Sequence, residues 1–255
     1  MRSGVQPNNF DIRDWSFEKT FGGTLELTAE YNADTGGRFP DQIREGYPNG
    51  CTGYTQNATG ELEYQIESDP SFVYGNTLLI ADLPPHSPCQ IRDSFKATKV
   101  YGLKSGDQDP LKYRRGSYFD VNKVGDYFDG VRSALWLNRN DRRCVSVGTP
   151  WFKEWAVTGG ILKAPSKYTW DSGTIGHNYM ICGWKVLKGE PHLIVKPWLG
   201  KRWGDNGYGY VSREIFNKVM GISGTFMYIQ VNYTPDQVKT VKIDILEVLL
   251  SLYPR

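Results

Sequence analysis

Cys51 is the residue of this chain best placed for chemistry. It stands in Asn49-Gly50-Cys51-Thr52, directly ahead of a run with helical periodicity. A thiol in the first turn of a helix meets unpaired backbone N–H groups and the positive end of the helix dipole, and both favour thiolate over thiol. A thiolate attacks carbonyl carbon, but it needs a partner to take and return a proton. The chain holds three histidines. His86 lies in Pro84-Pro85-His86-Ser87-Pro88, a loop with no orienting frame. His192 sits inside an apolar strand-like run, the setting of a packed core imidazole. His177 follows Gly176 at the mouth of another such run, where a rigid element would hold an accessible ring. Cys51 as nucleophile and His177 as general base are therefore the candidate pair, although a buried cysteine is commonly inert packing.

The elements that must position this pair can be read from periodicity. Residues 1–50 are rich in Gly, Asn and Pro and show little pattern. From Cys51 to Asp69 the apolar residues Tyr54, Ala58, Leu62 and Ile66 recur every four positions, which predicts a helix that Pro70 stops. A second helix is expected over Gln90 to Tyr101, with Ile91 and Phe95 inward and Gly102 as its C-cap. A third is expected from about Val124 to Asn138. The texture then changes to short strand-like runs at 144–147, 179–182, 192–195 and 226–229, each bounded by Gly or Pro. Helices first and strands after predict an α+β fold.

Composition narrows the function classes. The chain has 255 residues, 39% of them hydrophobic, enough for one large domain or two subdomains on a shared core. Net charge is +2 with both signs scattered, so no basic stripe points to nucleic acid, and Arg142-Arg143 with Arg132 and Arg139 reads as a solvated helix end. No run approaches the roughly 20 apolar residues of a membrane span, and the first ten residues lack the apolar stretch of a secretory signal. Cys51, Cys89, Cys144 and Cys182 are far apart with no CxxC, which predicts reduced thiols rather than a zinc site or disulfide scaffold. No metal or cofactor is expected, because the histidines and cysteines never cluster at ligand spacing. The Asn57-Ala58-Thr59 sequon falls inside the expected first helix, and the Gly-rich stretch from Gly200 to Gly209 lacks phosphate-loop spacing.

Three stretches carry a resemblance. Gly176-His177-Asn178-Tyr179-Met180-Ile181-Cys182-Gly183-Trp184 is similar to the segment around the catalytic histidine of papain-like cysteine peptidases, where a Gly-His pair leads an apolar strand ending in Gly-aromatic. Trp203-Gly204-Asp205-Asn206-Gly207-Tyr208 resembles the stretch that follows the family's catalytic asparagine. Gly50-Cys51-Thr52-Gly53-Tyr54 resembles the Gly-Ser-Cys-Thr-Ala variant of prokaryotic members. Ile91 to Phe95 and Cys144 to Pro150 fit in register between them. The resemblance implies a two-subdomain fold: a helical left part carrying the nucleophile helix, over about 40–115, and a β-barrel-like right part carrying the histidine, over about 116–233. Residues 1–24 would be a leader, with Arg13-Asp14-Trp15 similar to a short leader of bacterial members, and 234–255 a C-terminal extension.

The resemblance also implies an activity, hydrolysis of peptide or protein substrates through an acyl-enzyme, and two departures from the family pattern. The family orients its imidazole with an Asn in Lys-Asn-Ser-Trp-Gly; aligning Val195-Lys196 and Gly200 leaves Pro197 at that position, followed by Trp198 and Leu199. Proline carries no amide for the task, so Trp198 would shield the ring or a backbone carbonyl would receive its second N–H. The family's oxyanion-hole Gln falls on Glu45 in gapless register, six positions before Cys51, or on Gln42 if the loop is longer. A carboxylate there would repel a developing oxyanion unless protonated. These departures keep a second expectation open, a papain-fold protein with weakened or no catalysis in a structural or interaction role, for example in a virus or phage particle. The expected location is cytoplasmic or virion-associated. In the extension, Val238, Val241, Ile245, Val248 and Leu252 repeat at helical steps, while Val241, Ile243 and Ile245 also alternate as in a strand. Either stripe must be covered, by the chain's own domain or by a partner or second copy meeting 236–255.

Overall fold

The computed structural model describes residues 15–16, 27–34, 36, 38–121, 126–156, 159–170 and 175–231. Helix α1 runs Cys51–Tyr64. Its first ten residues are all buried, and five of them (Thr52, Thr55, Gln56, Asn57, Thr59) are polar. A helix covered on every side needs partners for such groups rather than one apolar stripe. It ends at Gln65, which adopts a left-handed conformation and returns its N–H to Glu61. The expected helix to Asp69 is therefore too long. Pro70, read as a stop, is the first residue of a further helix, α2, Pro70–Ala81. Asp69 caps it by accepting from the Ser71 N–H, and proline fits the first helical position because no N–H is needed there. Helix α3, Ile91–Tyr101, has Gln90 and Gly102 at its ends as expected. Helix α4, Tyr127–Leu137, begins after the expected start, with Asp126 accepting from the Asp129 N–H. Helix α5, Arg213–Met220, was not foreseen.

The strands are β1 Trp15–Ser16, β2 Tyr31–Asn32, β3 Ser117–Asp120, β4 Val145–Trp151, β5 Ile175–Leu187, β6 Glu190–Lys196, β7 Gly209–Ser212 and β8 Phe226–Val231. They join in the order β1-β3-β8-β4-β5-β6-β7, with β2 added to β5. Among the named strand pairs of the described residues only β1–β3 is parallel. The α+β expectation is met: three α-helices fill the stretch between β2 and β3, and most strands of a mixed, mainly antiparallel sheet follow. All four expected strand runs lie in or against these strands, and all four are longer than the runs that signalled them. Strand β5 is the axis. It pairs with β4 from Val145↔Ile181 to Trp151↔Ile175, with β6 from Met180↔Lys196 to Leu187↔Glu190, and with β2 at Gly183 and Trp184.

Both sheet faces are covered. Val145 and Val147 point into the large core with Phe128, Val131 and Leu135 of α4 and Phe216 and Val219 of α5. Ser146 between them points to α1, where it accepts from Gln56 Nε2 at 3.0 Å. Cys144 and Cys182 are buried on that α1 side with Tyr54, Met180 and Trp198. Two expectations are corrected. Arg142 reaches outward to Gln65, but Arg143 turns inward, 4% exposed, onto Glu63, Asn138 and Asp141, so the basic pair is not simply a solvated helix end. His192 is half-buried with Nδ1 2.9 Å from the Glu190 carbonyl, not a core imidazole. No helix among the described residues is long and apolar enough to cross a membrane. Of the expected leader only β1 is described, and the stripe expected in 236–255 lies outside the described residues.

Helix α2 approaches α1 at Gly53, where an added Cβ would come within 2.6 Å of Tyr74 Cβ and 2.7 Å of its backbone. Gly75, in the exposed middle of α2, has nothing within 4 Å of such a carbon. Gly53→Ala is expected to cost about 1–3 kcal/mol through forced separation of the helices. Gly75→Ala should instead stabilise by about 0.5–1 kcal/mol. Urea melts of the two variants beside the parent check both signs.

Candidate active site

Cys51 is the first residue of α1. Its N-cap, Gly50, supplies no side-chain acceptor, so no capping side chain takes the first-turn N–H groups. The Cys51 Sγ accepts from the backbone N–H of Asn178 at 3.4 Å. One turn later the Thr55 hydroxyl donates to the Asn178 carbonyl at 3.1 Å. The pairing of β6 with β5 stops at Met180, so both backbone groups of Asn178 turn to α1. A donor N–H on the sulfur and the uncapped helix start both favour the thiolate. Burial opposes them. Cys51 is fully buried and packs on Ile91, Phe95, Phe226 and Tyr228. Cys89 lies close by, its thiol pushed up to about 12 by burial first and by Cys51 second.

The Asn178 side chain enters a buried polar chain. It donates to Val147 O at 2.8 Å and to Ser146 Oγ at 3.1 Å. Gln56 joins Ser146 to Arg115, which also donates to Thr59 Oγ1 and pairs with Glu63 at 3.1 Å. Arg143 reaches the second Glu63 oxygen at 3.4 Å. These bonds engage Gln56 and Thr59 of α1 and tie its first turns to β4 and β5.

His177 sits one residue before Asn178, so its side chain leaves the opposite face of β5. It is 1% exposed, paired in register with Thr149 of β4. Its ring lies against Trp151, with centroids 4.7 Å apart at 66°, and beside Tyr179 at 6.5 Å. Neither ring nitrogen has a hydrogen-bond partner among the described residues. Burial alone pushes its pKa down from 6.5 to about 3, so the resting ring is neutral. The Cys51 sulfur thus meets the backbone beside His177, and no thiol–imidazole hydrogen bond joins the two side chains.

The remaining sequence candidates are engaged elsewhere. Glu45 accepts from the Tyr54 hydroxyl at 2.6 Å. That contact and burial hold the Tyr54 phenol well above its ordinary range, burial being the larger cause. Gln42 is buried, receives no partner at Oε1 and donates through Nε2 to Pro48 O at 3.4 Å. Trp198 does not cover the imidazole. Its indole N–H donates to Thr55 Oγ1 at 2.8 Å on the α1 side, and its carbonyl accepts from the Gln42 N–H at 3.1 Å. Next to it, buried Lys196 pairs with Asp34 under the Phe39 ring. The stretch holding Pro197 is therefore pinned on both sides. His86 is an exposed loop residue with φ +63, its carbonyl bonded by Asn49. Sequence reasoning missed Asn178, Thr55 and Trp151. An asparagine at the head of an otherwise apolar run was the available signal for the first.

With this arrangement the chain can be compared with known proteins. No family model matches the sequence, and no curated protein does. Solved structures match by fold. Xylellain, a cysteine protease from Xylella fastidiosa, superposes with TM-score 0.69 at 17% identity, covering 91% of this chain and 96% of that one. Digestive procathepsin L2 from the Tenebrio molitor larval midgut gives 0.65 at 14% identity, over 89% of this chain and 76% of its own. Procathepsin B S9 from Trypanosoma congolense gives 0.60 at 12% identity, over 88% and 84%. The fold is that of the papain-like cysteine peptidases.

The buried imidazole makes stability depend on pH with a definite sign. Its folded pKa of about 3 lies below the unfolded value, near 6.5, so the unfolded chain binds the extra proton in between. The contribution is complete above about pH 6.5 and is lost as pH falls toward the folded value. From pH 7 to pH 4 this amounts to about 3 kcal/mol. His177→Phe should remove that part of the acid loss, read as the difference between urea melts at the two pH values in parent and variant.

Proposed function

We propose that the chain is a thiol-dependent peptide hydrolase with Cys51 as nucleophile and His177 as its proton carrier. What supports this reading is one observation: the Cys51 sulfur, at the start of a buried helix, is hydrogen-bonded to the backbone directly beside His177. The papain-like fold agrees with it. In the reaction the Sγ–H proton passes to an imidazole nitrogen, and the thiolate attacks the peptide carbonyl carbon. The tetrahedral adduct collapses to a thioester as His177 protonates the leaving amine. Water then adds to the thioester with His177 as base, releasing the acid and restoring the thiol. A side-chain rotation must first bring an imidazole nitrogen to Sγ, a tightening common when substrate binds. The backbone N–H of Cys51 is the candidate oxyanion donor. With Glu45 occupied by Tyr54, no repulsive carboxylate need face the oxyanion.

A second reading has its own support: both candidate side chains are buried, and the pinned Pro197 cannot orient the ring. It makes the chain a papain-fold protein with a structural or interaction role, in a virus or phage particle for instance. Labelling with iodoacetamide across pH 5–8, mapped by mass spectrometry, separates the two. Fast modification of Cys51 with little dependence on pH, abolished in Cys51→Ala along with cleavage of a peptide library, is the expected result. Modification that appears only near pH 8–9, as for an ordinary thiol, with no cleavage, would instead establish the second reading. Pro197→Asn, which restores an amide beside the pinned segment, is expected to raise kcat/KM about tenfold.

A further inference from the structure

His177 has a neighbour that nothing so far has given a role. Trp151 ends β4, two residues beyond Thr149, the register partner of His177. It therefore occupies the diagonal position across the two strands, a separation that a large aromatic side chain can span. The indole meets the imidazole at 4.7 Å in an edge-to-face arrangement. Behind it stand Trp155 at 5.4 Å, Trp203 at 5.7 Å and Tyr179 at 6.0 Å. Those three are buried, whereas Trp151 is only half-buried, so its ring is the outer cover of a buried imidazole. Pro197 offers no amide, and Trp198 is held on the other face by Thr55.

We propose that Trp151 is the positioning residue of His177, fixing the ring and excluding water from it by edge-to-face packing in place of an orienting side-chain amide. A fixed ring keeps one orientation, and its burial holds the resting form neutral. Once charged, the imidazolium would lie against an indole, where a cation–π attraction stabilises it. Tyr179, on its own strand, is a titratable ring beside it. No charged side chain of the described residues contributes to its shift, and burial is the sole cause. Removing the cover should therefore be felt directly by the imidazole. The role rests on the peptidase reading for its use in catalysis, but the contact itself can be tested without activity.

The test follows the His177 ring by heteronuclear NMR from pH 7 to pH 5 in the parent, Trp151→Phe and Trp151→Ala, alongside the pH profile of Cys51 alkylation. The ring is expected to stay neutral at pH 5 in the parent and in Trp151→Phe. In Trp151→Ala it should titrate near 6.5, the ordinary histidine value. Should the alanine variant fail to fold, Trp151→Leu takes its place with the same expectation. A His177 titration unchanged by loss of the indole overturns the positioning role, even if Cys51 is reactive. An unreactive Cys51 together with a His177 that still responds to Trp151 overturns the peptidase reading and leaves the positioning role standing.

Discussion

The attachment of the first turn of α1 to the backbone of Asn178 governs the arrangement around it. Cys51 Sγ accepts a hydrogen bond from the N–H and the Thr55 hydroxyl donates one to the carbonyl, so a helix start is registered to a strand within one residue. Trp198 then docks on the same Thr55, and the Gln42 loop docks on the Trp198 carbonyl. Because α1 is enclosed by sheet and helices, a lost bond leaves a buried group unpaired, at a cost of about 1–3 kcal/mol each. That asymmetry explains why so polar a helix can lie at the centre. Its position is specified by directional bonds, while the apolar contacts around it supply the less selective part of the packing.

Much of this was legible beforehand, for identifiable reasons. The α3 ends were readable because Gly102 and the Ile91–Phe95 spacing are local signals. The strand runs were readable because β4, β5, β6 and β8 are rich in aliphatic and aromatic residues. Pro70 was misread because the same ring that ends one helix suits the first turn of the next, and only Asp69 before it tells the two apart. The end of α1 was misplaced because Leu62 and Ile66 continue the spacing although Gln65 has already turned left-handed. At the site, the residue types carried the identities of Cys51 and His177 as candidates, but not their facing. One residue of strand parity decides which side a ring leaves, and the apolar pattern of β5, buried on both faces, contains no parity signal.

The electrostatics of the two candidates are set against each other. The thiol has a donor N–H and a helix start that favour its charge, while the imidazole is held neutral by burial alone. Burial of the sulfur opposes both influences.

All four cysteines are buried in the folded chain, and the bond that seats Cys51 joins residues 127 apart in sequence. Contacts of such separation form late, since a long loop must close before they return any energy. Until the β4–β5 ladder is made, the thiols of Cys51, Cys89, Cys144 and Cys182 are open to solvent and to one another. Folding in an oxidising medium is then a race between strand pairing and mispairing of sulfur. The native state is safe from that chemistry because it is finished, and a chain caught halfway is not.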